Sequence, residues 1–333
     1  MKRTAAMQAQ RGFGLVEMMV SLALGLVVVG GATMLFTATR QASVSTENLS
    51  RIQESVRTSY DLMAREVREA GGTPCDARLV VTNVLNNAQG VTPTWWAIWD
   101  EPVRGFDGGT AFGGAPFGTA VGERVAGTQA LTVRYGQPVD GLAVASHTTA
   151  TATVATNRTN NGIAAGDLLM LCNYGQGAIV QAATANAAAG TFTHTASAGS
   201  PGNCTAGLGV PLNCAAGASY EFVAGSLVGR FVAAGWYIGN NGRSATGGRS
   251  LYRVTRDGAE EVADGMRDMQ LSYLQVGNAD YVAAAAVTNW SLVTAVRFDL
   301  VFEGPDTGAA TTSPTARLQR PVSFTVNLRN QQS

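Results

Sequence analysis

Hydrophobic and polar positions divide the chain into three regimes. From Phe13 to Phe36 the sequence is apolar, with Glu17 as its only ionisable side chain. As a helix this run reaches about 36 Å, enough to cross a hydrocarbon core of roughly 30 Å. Further on, Leu49, Ile52, Val56, Tyr60, Met63, Val67 and Ala70 recur at three- and four-residue spacing, while Arg51, Glu54, Arg57, Asp61 and Glu69 fall elsewhere on the surface. That pattern predicts an amphipathic continuation of the same helix, ended by Gly71-Gly72 and Pro74. Taken together, 13–70 would form one helix about 87 Å long. Gly25, Gly30 and Gly31 are either weak points in its apolar half or places where another helix packs closely.

Beyond Cys75 the period changes to two. Leu131 to Tyr135, Asp167 to Cys172 and Ala178 to Gln181 read as strands, the last two joined by a turn around Asn173 to Gly177. Leu251 to Val254 and Glu260 to Val262 flank Asp257-Gly258, a strong hairpin signal. Val296, Phe298, Leu300 and Phe302 alternate with Arg297, Asp299 and Val301, as do Val322, Phe324, Val326 and Leu328 with polar neighbours. Stretches 104–118, 157–162, 182–202 and 239–248 are glycine-rich or small and polar and read as loops. A long helix followed by such strands predicts an α+β fold, with the helix stripe packed on an antiparallel sheet head.

Lys2, Arg3 and Arg11 make the first twelve residues basic with no acid, which holds that end in the cytoplasm and exports the chain beyond Arg40. The apolar run is longer than a secretory signal peptide requires, and no A-x-A site closes it. The precursor has 23 basic and 23 acidic residues. Nothing in this balance suggests nucleic acid as a partner. Whether translation starts at Met1 or Met7 changes only the leader length.

A carboxylate inside a membrane costs about 2 to 3 kcal/mol and calls for a partner, yet the run contains no basic residue. Gly12-Phe13 followed by Glu17 resembles the class III prepilin signal of type IV pilins, a Gly-Phe junction with Glu at the fifth mature position. The resemblance implies that a prepilin peptidase cuts after Gly12 on the cytoplasmic side and methylates the new N-terminal Phe13. It also implies that the Glu17 carboxylate pairs with the N-terminal amine of a neighbouring subunit. An α-amino group of ordinary pKa near 7.7 to 8 is mostly cationic at neutral pH, so assembly would remove the unpaired charge.

Cys75, Cys172, Cys204 and Cys214 lie in the exported part, where oxidation is expected. Of the three possible pairings we favour Cys204 with Cys214, closing a short loop, and Cys75 with Cys172, pinning the helix exit to a strand. A zinc site would recruit His194, but there is no C-x-x-C pair and no second histidine nearby in sequence. With His147 and His194 the only histidines, no G-x-S-x-G elbow and no phosphate-cradling loop, nothing selects catalytic residues. We therefore expect no enzyme activity, no cofactor and no metal. The acidic stretch 257–268 lacks calcium-loop spacing. Trp95, Trp96 and Trp99 read as packing, with a carbohydrate or partner surface as the alternative.

The segment Asp61-Leu-Met-Ala-Arg-Glu-Val-Arg-Glu-Ala-Gly-Gly72, followed by Cys75, resembles the helix end of PilW-type minor pilins, where Arg-Glu-apolar-Arg-x-Ala-Gly precedes a cysteine. Further echoes are 166–172, 250–254 with Asp264-Gly265-Met266, Val296-Arg297 and 324–330; the likeness is weak over 92–127 and 182–217. Gly14 departs from the commoner Ser or Thr. The resemblance implies a leader (1–12), an assembly helix in the inner membrane (13–36), its amphipathic continuation (37–72) and an exported β-rich head (73–333). It further implies a minor subunit that joins other minor pilins, the major pilin and a tip adhesin to initiate type IV pilus assembly, supporting adhesion and twitching motility. Such a protein sits in the inner membrane, head periplasmic, before reaching the cell surface. The alternatives are a minor pseudopilin of a type II secretion system and a membrane-anchored periplasmic binding or hydrolytic module.

Overall fold

The computed structural model describes residues 12, 14–75, 79–90, 93–308 and 316–331. One helix, α1 (Leu15–Glu69), precedes the strands. In chain order these are β1 (Val81–Asn83), β2 (Val103–Phe106), β3 (Ala130–Thr148), β4 (Thr153–Thr156), β5 (Leu168–Cys172), β6 (Gly177–Gln181) and β7 (Thr184–Asn186). After them come β8 (Thr191–Thr193), β9 (Leu227–Asn240), β10 (Arg249–Thr255), β11 (Gly258–Asp264), β12 (Met266–Gln275), β13 (Val293–Thr307) and β14 (Arg317–Asn327). The architecture is α+β: one long apolar N-terminal helix and a mostly antiparallel β head.

One sheet runs β1-β6-β5-β9-β3-β4-β8-β7, with β10 joined to β9 and β11, and β2 joined to β3; the other is β12-β13-β14. Among the described residues of the first sheet, only β1 with β6 is parallel. Strand β9 organises it. Leu227–Arg230 pairs with β5, Gly235–Asn240 pairs with β10, and the opposite edge follows β3.

The described residues form two compact units, one within Met1–Ser50 and Asp306–Leu318, the other within Arg51–Pro305 and Gln319–Ser333. In the first, the apolar part of α1 is exposed along its length, from Leu15 at 79% to Phe36 at 68%. The helix there is long and apolar enough to cross a membrane. It runs unbroken through Gly25, Gly30 and Gly31, and a Cβ at each would meet nothing within 4 Å, so these positions keep room for a close-packed partner. At its base the Asn48 side chain donates to Asp306 Oδ2 (3.0 Å) and accepts from the Asp306 backbone N–H (3.1 Å).

In the second unit the amphipathic stripe is buried: Ile52, Met63, Val67 and Ala70 all lie in the core. Burying each large apolar side chain stabilises the fold by roughly 1.5 to 3 kcal/mol. Tyr60 meets Phe324 of β14 edge-on at 4.9 Å, and Phe324 stacks on Phe298 of β13 at 4.8 Å. The helix stops where the glycines predict. Gly71 takes φ +72°, its N–H donates to the Arg134 carbonyl, and Gly136 N–H donates to the Gly72 carbonyl, tying the helix exit to β3.

Several expectations need correction. The hairpin turn is Arg256-Asp257, because Thr255 pairs with Gly258, so Gly258 opens β11 at φ +137° instead of closing the turn. The stretch 104–118 is not all loop, since Arg104–Phe106 belongs to β2 and pairs with β3. Likewise 182–202 contains β7 and β8, and Asn240 ends β9 inside the supposed loop 239–248. Three-residue strands are too short to show a period, and they form because β4 offers β8 an edge. The larger omission is β9. Gly229, Ala233, Ala234, Gly235 and Gly239 hide its alternation, yet small residues are required there: a Cβ at Gly229 would stand 2.6 Å from the Gln137 carbonyl oxygen.

Candidate functional site

Gly12 precedes the helix, while Phe13, the expected first mature residue, and the basic leader residues Lys2, Arg3 and Arg11 lie outside the described residues. The Gly14 carbonyl accepts from the N–H groups of Glu17 (3.0 Å) and Met18 (3.1 Å), which starts the helix. Glu17 therefore sits in the first turn, near the positive end of the helix dipole. Its side chain is exposed and has no hydrogen-bond or ion-pair partner among the described residues. It is surrounded by exposed Leu15, Val16, Met18, Met19 and Val20. A lone carboxylate on such an apolar surface is suited to capture one cation from outside the chain.

The cysteines form Cys75–Cys172 and Cys204–Cys214, with no free cysteine among the described residues. The first joins the segment after α1 to the end of β5; the second closes a loop against the Val84, Leu208 and Phe222 core.

Three charged or titratable groupings were not legible in the sequence. Glu66, which lies between Arg65 and Val67 and resembles any surface acid of the helix, is 7% exposed. It accepts from Arg253 Nη2 (2.7 Å), Arg253 Nε (2.9 Å) and Trp236 Nε1 (2.7 Å). Its i−3 and i+4 neighbours on the apolar stripe, Met63 and Ala70, were the signal that it faces inward.

Arg124 and Arg134, both fully buried, donate to main-chain carbonyls instead of carboxylates. Arg124 holds Thr110, Asp107 and Thr128, and Arg134 holds Trp95 and Glu101. Burial lowers both to about 10 against the opposing pull of Asp107 and Glu101 respectively, so both remain charged at neutral pH. They fix the glycine- and aromatic-rich loops of 93–128.

His147 and His194, distant in sequence, meet Nε2 to Nε2 at 2.9 Å in the core. The Phe222 N–H donates to His147 Nδ1, so His147 carries its proton on Nε2 and donates it to His194. His194 is then protonated on Nδ1, which has no partner among the described residues. Burial, and then the neighbouring His147, pushes His194 down to about 4, and burial lowers His147 with Glu221 opposing. The second histidine that a metal reading lacked is thus present, but among the described residues no group of three or more His, Cys, Asp or Glu could hold a metal ion.

Comparison with known proteins finds no match among curated proteins or solved structures. A comparison with protein families matches residues 7–33 to the signature described as the prokaryotic N-terminal methylation motif. That span holds Gly12, Phe13, Glu17 and most of the exposed apolar helix. A signal of this class implies processing by a prepilin peptidase. The N-terminus of this chain thus carries an N-terminal methylation signal, which supports a type IV pilin-like prepilin, ahead of a long apolar helix and a mostly antiparallel β head.

Proposed function

We propose that the protein is a minor pilin of the PilW type that helps initiate type IV pilus assembly and is incorporated near the pilus tip, supporting adhesion and twitching motility. The observation that carries this reading is Glu17, without a partner among the described residues, in the first turn of a helix whose apolar half is exposed, within an N-terminal methylation motif. Peptidase cleavage after Gly12 leaves Phe13 as the methylated N-terminus, and Glu17 of one subunit receives the N-terminal amine of the next. The other minor pilins, the major pilin and the tip adhesin are then its partners, and the head, with two disulfides and no role in catalysis, is an assembly and display module. Before assembly the chain resides in the inner membrane with its head in the periplasm.

The helix-end resemblance at 61–75 favours this reading over a type II pseudopilin, which would carry the same motif. Deletion of the gene tests it. Loss of surface pili and twitching with enzyme secretion intact supports the pilus role. Loss of secreted enzymes with normal pili assigns it to secretion, and loss of neither assigns it to an anchored periplasmic module.

A further inference from the structure

The head contains an open cavity of about 610 Å³ beside the hairpin of β10 and β11, within the size range of small-ligand sites. Its aromatic lining is Trp95, Trp96, Phe106 and Phe112. These rings brace one another: Trp95 meets Phe112 edge-on at 5.5 Å, and Phe112 stacks on Phe106 at 4.9 Å. Gly114 brings the chain against this wall, since a Cβ there would stand 2.7 Å from Phe112 and 2.8 Å from Trp95. The turn carrying Trp95 is clamped from beneath by the buried Arg134 guanidinium, which donates twice to the Trp95 carbonyl. Such walls are prearranged for a ligand face and lose little entropy on binding.

The charge of the cavity has one sign. Arg104, Arg134 and Arg256 line it, and no carboxylate does among the described residues. Arg104 is paired with Glu101 (2.9 Å), and Arg256 with the exposed Asp257 (3.4 Å). Arg134 donates to carbonyls and makes no carboxylate hydrogen bond among the described residues, so it adds positive potential to the cavity that Glu101 offsets only in part. Two hydroxyls at the rim are free to donate, since Thr94 Oγ1 accepts from Asn87 and Thr255 Oγ1 accepts from the Asp257 N–H.

We propose that this cavity binds an acidic saccharide, one or two pyranose units bearing a carboxylate. The apolar face of the ring lies on the Trp95 indole, the carboxylate faces the arginines, and the ring hydroxyls meet Thr94 and Thr255. The open mouth lets a longer polysaccharide continue into solvent at either end. An aromatic acid offers the same ring and charge but not the hydroxyls. The tryptophans thus serve two ends: Trp96 belongs to the core with Phe231, on which Trp99 packs, while Trp95 and one side of Trp96 line the cavity. This assignment stands on the head alone and does not depend on the role in pilus assembly.

The test uses the full chain in detergent, with tryptophan fluorescence and calorimetry, titrated with digalacturonate, its methyl ester and benzoate. Saturable binding of digalacturonate is expected, weakened roughly tenfold or more by Trp95→Ala and several-fold by Arg256→Gln. The methyl ester should bind more weakly than the acid, and the difference should shrink with added salt. Arg256→Gln removes a half-exposed surface side chain and keeps the test informative if Trp95→Ala fails to fold. Absence of digalacturonate binding, binding unchanged in a folded variant, or equal binding of benzoate each overturns the assignment.

Discussion

Arg253 of β10 donates from Nη2 and Nε to the one oxygen Oε1 of Glu66 of α1, at 2.7 and 2.9 Å, inside the contact between helix and sheet, and Trp236 of β9 donates to the other carboxylate oxygen. The pair is largely out of water, with side-chain exposures of 9% and 21%. Removing one partner strands the other, which costs more than the pair contributes. Glu66→Ala should therefore destabilise the head by about 3 to 5 kcal/mol. Glu66→Gln should cost less, because it still accepts from Trp236. Urea unfolding of the solubilised chain measures both, and a double-mutant cycle with Arg253→Met isolates the pair. Equal stability of Glu66→Ala and the parent would show the contact to be dispensable.

The same residue marks the border of what a sequence discloses. The stripe from Ile52 to Ala70 was legible because period-3.6 burial leaves an unambiguous trace, and Gly71-Gly72 because a positive φ at the helix exit admits few other residues. The alternating strands β13 and β14 were legible for the corresponding reason, period two. Glu66 was not, because its partners are far away in sequence and only packing brings them near. Strand β9 was hidden by the small residues its crowded neighbours demand, and the His147–His194 contact by a separation of 47 positions. The cavity at Trp95 and Arg104 needed both the loop clamps and the β10–β11 hairpin in place. At the N-terminus the signal is a short local motif, so the expected roles of Gly12, Phe13 and Glu17 rest on its resemblance to a prepilin signal, a motif that the family match over residues 7–33 also covers.

The histidine pair makes the head acid-sensitive. Both rings are held below the ordinary value of 6.5, His194 at about 4, so folded protein binds fewer protons than unfolded protein as pH falls through this range. Stability is then full above about 6.5 and is lost as pH drops toward about 4, His194 alone accounting for roughly 3 kcal/mol of the loss. Thermal melts between pH 7 and pH 4 should show this slope, and His194→Gln should flatten it. An unchanged slope in that variant would place the acid response elsewhere.

The two disulfides should differ in what they contribute. Cys75–Cys172 closes a separation of 97 residues and Cys204–Cys214 one of 10. On chain entropy alone these are worth about 4.7 and about 3 kcal/mol. Replacing Cys75 and Cys172 with alanine should thus lower the unfolding free energy more than replacing Cys204 and Cys214, and the reverse order would argue that strain or local packing dominates. Non-reducing peptide mapping should recover both linkages and no free thiol from these four residues.

The carboxylate of Glu17 is the strongest test of the assembly reading. In the single chain it lies exposed in the first turn of α1, with no ion-pair partner among the described residues, so nothing in the head depends on it. Glu17→Ala should leave the protein exported and disulfide-bonded, and removing the charge even eases insertion by up to about 2 to 3 kcal/mol at most depths. In an assembly the balance reverses. On the assembly reading, the N-terminal amine that cleavage at Gly12 would create enters a bundle of apolar helices, where an unpaired charge is far more costly than at a surface, and the neighbour's Glu17 would neutralise it. Complementation of a deletion strain with Glu17→Ala should therefore give parental amounts of protein in the membrane with few or no pili. Glu17→Asp should restore piliation in part, since the charge is kept on a shorter arm. Normal piliation by Glu17→Ala at parental abundance would remove the carboxylate from assembly and leave it only the local role of favouring the positive end of its own helix.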